Sequence, residues 1–125
     1  MIINQNKIVF FLLFIAQFLT AQAPSAKDDY DTAEINTTLN VSAPGVLVND
    51  TDPDVDDVLT ILEFSVNGIS YLVGETANFG QGSITIIADG SFTFIPIANY
   101  TGNVSIITYT ITDGTSLSFA NLFFY

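Results

Sequence analysis

The chain has 125 residues, with 13 acidic side chains against two lysines and no arginine, histidine or cysteine. Both lysines, Lys7 and Lys27, precede Asp28, so the net charge from Asp28 onward is 0 − 13 = −13. That charge repels phosphate backbones and anionic membranes and excludes nucleic-acid binding, which needs Lys or Arg to displace counterions. The missing His and Cys exclude Ser-His-Asp and Cys-His catalysis and zinc sites built on those ligands.

Lys7 is followed by an apolar run, Ile8–Leu19, broken only by Gln17, and then by the small residues of Ala21-Gln22-Ala23. The run is about 12 residues, short of the roughly 20 that span a bilayer. It reads as a signal peptide over 1–22, with a single-pass anchor as the alternative. Cleavage leaves no membrane span and places the protein outside the cell or on its surface. Residues 23–27 read as a linker, and 28–125 as one domain, large enough to bury a core without disulfides.

Short β-prone stretches separated by turn residues fill that domain, and no stretch carries a 3.6-residue apolar period. The first strand region covers Tyr30–Val41, interrupted near Asn36. Ala43-Pro44-Gly45 makes a turn, and Val46-Leu47-Val48 is an apolar piece before an acidic loop. Leu59–Val66 is a strand ended by Asn67-Gly68, and Ser70–Val73 another ended by Gly74. Ser83–Ala88 and Ser91–Ile97 flank Asp89-Gly90, a dipeptide suited to a type I′ hairpin turn. Period-two alternation puts Phe92 and Phe94 in the core, and puts Ile107, Tyr109 and Ile111 on one face of Val104–Thr112. Asp113-Gly114 leads into a last strand, Leu117–Tyr125. Its aromatics either pack one face and pair an edge or await a partner. About seven strands in this length predict an all-β, two-sheet antiparallel sandwich of immunoglobulin-like type.

Asp50, Asp52, Asp54, Asp56 and Asp57 crowd one loop, Asn49–Asp57. Calcium takes six to eight oxygen ligands at about 2.4 Å. A curved acidic loop can supply several of them, and the domain has no basic residue to neutralise these charges. The five aspartates are the candidate calcium ligands, with Asp28, Asp29 and Asp113 as weaker ones. A solvated acidic loop built from turn formers is the alternative. Asp52, Asp54, Asp56 and Glu63 fit positions 1, 3, 5 and 12 of an EF-hand loop. Position 6, however, is Asp57 instead of Gly, and the following segment reads as strand, so that frame is set aside.

The run from Ala43 to Asp54, Ala-Pro-Gly-Val-Leu-Val-Asn-Asp-Thr-Asp-Pro-Asp, resembles the opening half of the bacterial cadherin-like, or VCBS-type, tandem repeats of secreted adhesins. Asp28-Asp29-Tyr30 resembles the start of such a repeat, and Ala88–Pro96 its central hairpin. Asn99–Gly102 and Tyr109–Gly114 resemble its closing half. Val55 stands where the family usually has Gly, and only one copy is present. The resemblance implies a non-catalytic spacer or adhesion module, calcium-stabilised and joined to neighbouring modules, or bound to a cell-surface protein or glycan. In such arrays calcium sits where one module meets the next. The acidic loop, as the first connection, is expected at the end opposite the N-terminus. Asp28, Asp29, Asp89 and Asp113 are expected together at the N-terminal end. A lone module would then hold half sites, unless the loop closes a site by itself.

A carbohydrate-binding sandwich is the alternative function, with Tyr30, Tyr71, Phe79, Tyr100 and Tyr125 as available platforms. Most aromatics here alternate with Thr or Ser, however, which marks them as core. Five Asn-X-Ser/Thr sequons, among them Asn36-Thr37-Thr38 and Asn99-Tyr100-Thr101, read as turn and strand chemistry.

Overall fold

The computed structural model describes residues 21–125. The signal peptide expected at 1–22 lies, up to residue 20, outside the described residues. Nine strands form two sheets: β1 (Asp29–Asp31), β2 (Leu39–Val41), β3 (Thr60–Val66), β4 (Ile69–Leu72), β5 (Thr76–Phe79), β6 (Gly82–Ile86), β7 (Phe92–Pro96), β8 (Ile107–Thr112) and β9 (Leu117–Phe124). One sheet has the order β1-β9-β8-β3-β4 and the other β2-β7-β6-β5. All pairings between these strands are antiparallel except β1 with β9. The expected sandwich is present.

The structure has nine strands where about seven were expected, and the interruption expected near Asn36 is a full reversal. The Tyr30–Val41 stretch divides at Asn36, which sits in the left-handed region at φ 55°. Its halves, β1 and β2, join different sheets. Asn99, at φ 61°, clamps this reversal: its N–H donates to Asn36 Oδ1 at 2.7 Å, and Asn36 Nδ2 donates back to Asn99 Oδ1 at 3.0 Å. Strand β5 was hidden because it is four residues long and its inward residues are Phe79, which stacks on Phe94, and the fully buried Ala77, too small to mark an apolar period.

The turns also differ from expectation. Asn67 and Gly68, at φ 51° and 79°, form the two-residue hairpin loop with both central residues left-handed, between the paired Val66 and Ile69. Of Asp89 and Gly90 only Gly90 is left-handed, at φ 86°. The β6–β7 loop is three residues long, closed by Gly90 N–H to Ile87 C=O and Ile87 N–H to Ser91 C=O, both at 2.9 Å. Asp89 favours this form because its Oδ1 accepts the Ser91 N–H and hydroxyl. Gly45–Leu47, where a turn and a short apolar piece were expected, is a single 3₁₀ turn, and Val46 is buried in it.

The core lies between the sheets. Phe92, Phe94, Ile107, Tyr109 and Ile111 are buried, as alternation predicts. Phe94 stacks on Phe124 with ring centroids 4.6 Å apart, and Phe92 meets Phe124 edge-on at 6.2 Å. On β9, Ala120 and Leu122 face inward and Phe119 is exposed, while Phe123 stacks on Tyr30 at 5.1 Å across the parallel pair.

The split at Asn36 relocates the acidic loop. Each antiparallel step reverses the chain, and the extra reversal makes Asn49–Asp57 the second connection. It therefore returns to the end where β1 begins. There Thr60 pairs with Thr112, beside the β8–β9 turn. The expectation that this loop lies opposite the N-terminus is corrected: it shares one end with Asp28, Asp29 and Asp113. The segment expected as a linker at 23–27 is docked there too. Pro24 is buried, and Ser25 exchanges two backbone hydrogen bonds with Thr51, at 2.7 and 3.1 Å.

Candidate metal centre

Three carboxylates converge at this end. Asp52, Asp57 and Asp113 each have an oxygen within 4.8 Å of those of the other two. Asp52 and Asp57 come from the acidic loop and Asp113 from the β8–β9 turn, so the strand order of the sheet brings them together.

Asp52 and Asp113 are oriented by their own turns. Asp52 Oδ1 accepts the Asp54 N–H at 2.7 Å. Asp113 Oδ1 accepts the N–H groups of Thr115 and Ser116, both at 2.7 Å, and the Thr115 hydroxyl at 3.0 Å. Each carboxylate thus fixes one oxygen locally. The other oxygen, Asp52 Oδ2 and Asp113 Oδ2, is buried and has no hydrogen-bond partner. A buried, unpaired acceptor carries the desolvation cost of a lost hydrogen bond.

The electrostatics sort these groups. The N–H groups of Ser116 and Thr115 hold the Asp113 carboxyl below its ordinary value, so it stays ionised. Asp57 is pushed up, first by loss of hydration and then by the charges of Asp52, Asp54 and Asp113. No lysine or arginine occurs from Asp28 onward to relieve that repulsion.

The other candidate ligands are placed differently. Asp50 Oδ1 accepts the Lys27 N–H at 2.8 Å, and Asp54 Oδ2 accepts the Gln22 N–H at 2.7 Å. Asp28 Oδ1 accepts the Asn121 N–H at 2.9 Å. Asp56 is exposed. Asp89 is engaged in its own hairpin, and the backbone and hydroxyl of Ser91 lower its pKa. Glu63 lies within β3, paired with Leu72 and Thr110, so the EF-hand frame has no structural counterpart.

A second oxygen-rich node, unseen in the sequence, surrounds the buried Tyr109. Its hydroxyl lies 2.9 Å from Lys27 C=O, 3.1 Å from Val46 C=O and 3.5 Å from Asp50 Oδ2, and it hydrogen-bonds Asp29 Oδ2. One hydroxyl proton serves several acceptors. Burial raises the Asp29 carboxyl to about 6, against the lowering effect of the Tyr109 hydroxyl. Alternation could predict that Tyr109 is buried, but nothing in the sequence signals which acceptors meet it.

The sequence model of the bacterial cadherin-like domain matches residues 21–122. The chain belongs to that family. No curated protein matches it. Among solved structures, it is similar to a nucleoside hydrolase-related hypothetical protein from Saccharophagus degradans associated with carbohydrate metabolism, at 15% identity and a TM-score of 0.46. That match covers 84% of this chain and 26% of the other, so the cadherin-like chain spans about a quarter of its length. Among the described residues of this domain, no helix is long and apolar enough to cross a membrane.

Proposed function

We propose that this cadherin-like domain is a calcium-stabilised, non-catalytic adhesion or spacer module working at or outside the cell surface. The observation that carries the calcium reading is the pair of buried, unpartnered oxygens, Asp52 Oδ2 and Asp113 Oδ2, beside Asp57. Hard, anionic oxygen donors with no basic neighbour suit calcium. Asp52, Asp57 and Asp113 would hold the ion, with water or backbone carbonyls supplying its remaining oxygens. The ion supplies charge neutralisation and ties the acidic loop to the β8–β9 turn. All three residues belong to one module, which favours a site closed within the domain over half sites at its two ends.

The module role rests on the family and on the sequence pattern. The apolar leader expected over 1–22 would export the domain. Its partners would be neighbouring cadherin-like modules or a cell-surface protein or glycan. Calorimetric titration with calcium, alongside melting curves with calcium and with chelator, tests the metal reading. Binding heat and a melting temperature that rises with calcium are expected. A flat titration with coincident melting curves would sink it.

A further inference from the structure

The sandwich is open along one side, where β1 ends one sheet and β2 ends the other. Among the described residues, β1 pairs with β9 alone and β2 with β7 alone. The two edges are guarded differently. On β1, Tyr30 turns outward onto Phe123, so Asp29 and Asp31 stand on the core-facing side, both half-buried. Inward charges of this kind keep other strands off an edge. Strand β2 is Leu39-Asn40-Val41, with neither a charge nor a proline, and its second edge is unpaired.

A cleft lies on each face of that edge. The one on the core side, about 270 Å³, has Val46, Phe92 and Leu122 as its apolar floor, with Asp29 and Asp31 beside them. The one on the outer side, about 260 Å³, is lined by Asn40, Thr85, Ser91 and Thr93 among others, and no charged residue lines it. Val41, Ser42 and Phe92 line both, so the two clefts meet across the end of β2. Side chains of a strand point to opposite faces in turn. A strand laid along β2 would therefore send alternate side chains into the two clefts.

Each cleft is smaller than the roughly 300–1,000 Å³ of a small-molecule pocket and has the scale of a single side chain. The inner one suits an apolar stem with a cationic tip, the form of lysine and arginine. Asp31 Oδ1 accepts the Thr32 N–H at 2.9 Å, which leaves Oδ2 for that tip. The domain cannot supply it, because no Lys or Arg occurs from Asp28 onward. A second copy offers no basic strand either, since its Lys27 is followed at once by Asp28 and Asp29.

We propose that the free edge of β2 docks an extended segment of a partner protein that carries a lysine or arginine among uncharged residues. The segment adds a strand to the β2-β7-β6-β5 sheet. Its basic side chain enters the inner cleft beside Asp31, and a small polar neighbour enters the outer one. Main-chain hydrogen bonds supply affinity and the two clefts supply selectivity. Charge decides the class of partner, because a domain with 13 acids draws in a basic segment and repels an acidic one. The proposal takes from the adhesion reading only that the domain meets another protein, and it does not depend on calcium.

The test is an NMR titration with the peptide acetyl-Thr-Val-Thr-Lys-Thr-Val-Thr-amide, in calcium and in chelator. Shifts are expected at Leu39–Ser42 and Asp29–Asp31 in both conditions, weakening as salt rises. Glutamate in place of the peptide's lysine is expected to lower affinity about tenfold or more. The variant Asp31→Asn keeps the acceptor for Thr32 and is expected to lower it roughly fivefold. Methylating the peptide's backbone nitrogens removes its donors and is expected to abolish binding. Absence of shifts at millimolar peptide overturns the proposal. Shifts spread over Asn49–Asp57 also overturn it, because that is attraction by charge alone. Equal binding by the glutamate or methylated peptide, or unchanged affinity in Asp31→Asn, does the same. Each of these leaves the calcium reading to its own melting curves.

Discussion

Asp52 and Asp113 face the same problem and meet it in the same way: each binds one carboxylate oxygen to its own turn and leaves the other buried and unpartnered beside its counterpart. Two anions held this close by their own backbones are pre-arranged as oxygen donors, which is what the proposed calcium site requires. Their fixed geometry also removes the easy escape of swinging into solvent.

Neutralising either one should therefore separate binding from stability. In Asp113→Asn the Oδ1 acceptor for Thr115 and Ser116 is retained and one charge is removed. Calcium affinity is expected to fall by on the order of tenfold or more, because ligand charge sets affinity. The calcium-free melting temperature is expected to fall only slightly, because the N–H groups of Ser116 and Thr115 favour the ionised carboxyl over its neutral stand-in. Asp56→Asn, at an exposed position outside the cluster, should leave the calcium-induced shift in place. Calorimetry and melting curves on the two variants check this contrast.

The Tyr109 hydroxyl is the donor at the centre of the second node. Removing it in Tyr109→Phe leaves Asp29 Oδ2 and the carbonyls of Lys27 and Val46 without that proton, in a buried setting. The loss is expected to be about 1–3 kcal/mol, read as a lower urea midpoint with an unchanged slope.

Asp29 gives the domain a definite pH dependence. Its folded-state pKa, about 6, lies above the ordinary 3.8, so the folded state binds its proton more tightly than the unfolded chain does. The stability from that proton is fully present below the unfolded value and is lost as pH rises through about 6. Asp29→Asn, a permanently uncharged stand-in, is expected to raise the melting temperature at neutral pH. The advantage should fade as pH falls below 6 and the native Asp29 takes up its proton. Melting curves of both proteins across that range measure it.

Gly45 and Gly90 pack backbone to backbone. Gly45 is left-handed at φ 53°, and a Cβ there would overlap the Gly90 carbonyl, while a Cβ on Gly90 would overlap the Pro44 carbonyl. Val46 N–H donates to Gly90 C=O across this contact at 3.0 Å. Gly45→Ala is expected to cost at least about 1–3 kcal/mol from backbone strain, before any overlap is counted. Chemical denaturation reads it. A loss below that range would mean that the 3₁₀ turn moves away from the hairpin easily.

Much of this architecture is written in local pattern. Alternation placed Phe92, Phe94, Ile107, Tyr109 and Ile111 inside because a strand's side chains point to opposite faces in turn. The motifs from Asp28 to Gly114 carried the family resemblance, and the charge count alone identified the acidic loop. Local pattern failed where the chain used conformation without composition. An interruption near Asn36 was legible, but not that its left-handed φ carries the chain into the other sheet, and Ala77 fills an inward position with too little side chain to register.

The sequence by itself thus determined the class of the fold, its core faces and a concentration of carboxylates with no basic partner. Only the tertiary structure decided which carboxylates meet. One reversal at Asn36 carried the acidic loop to the N-terminal end, where strand order set Asp113 against Asp52 and Asp57. Asp50 and Asp54, their equals in the sequence, were turned toward Lys27 and Gln22 instead. The physical reason is that charge is a property of composition, while convergence depends on the direction and register of strands distant in sequence.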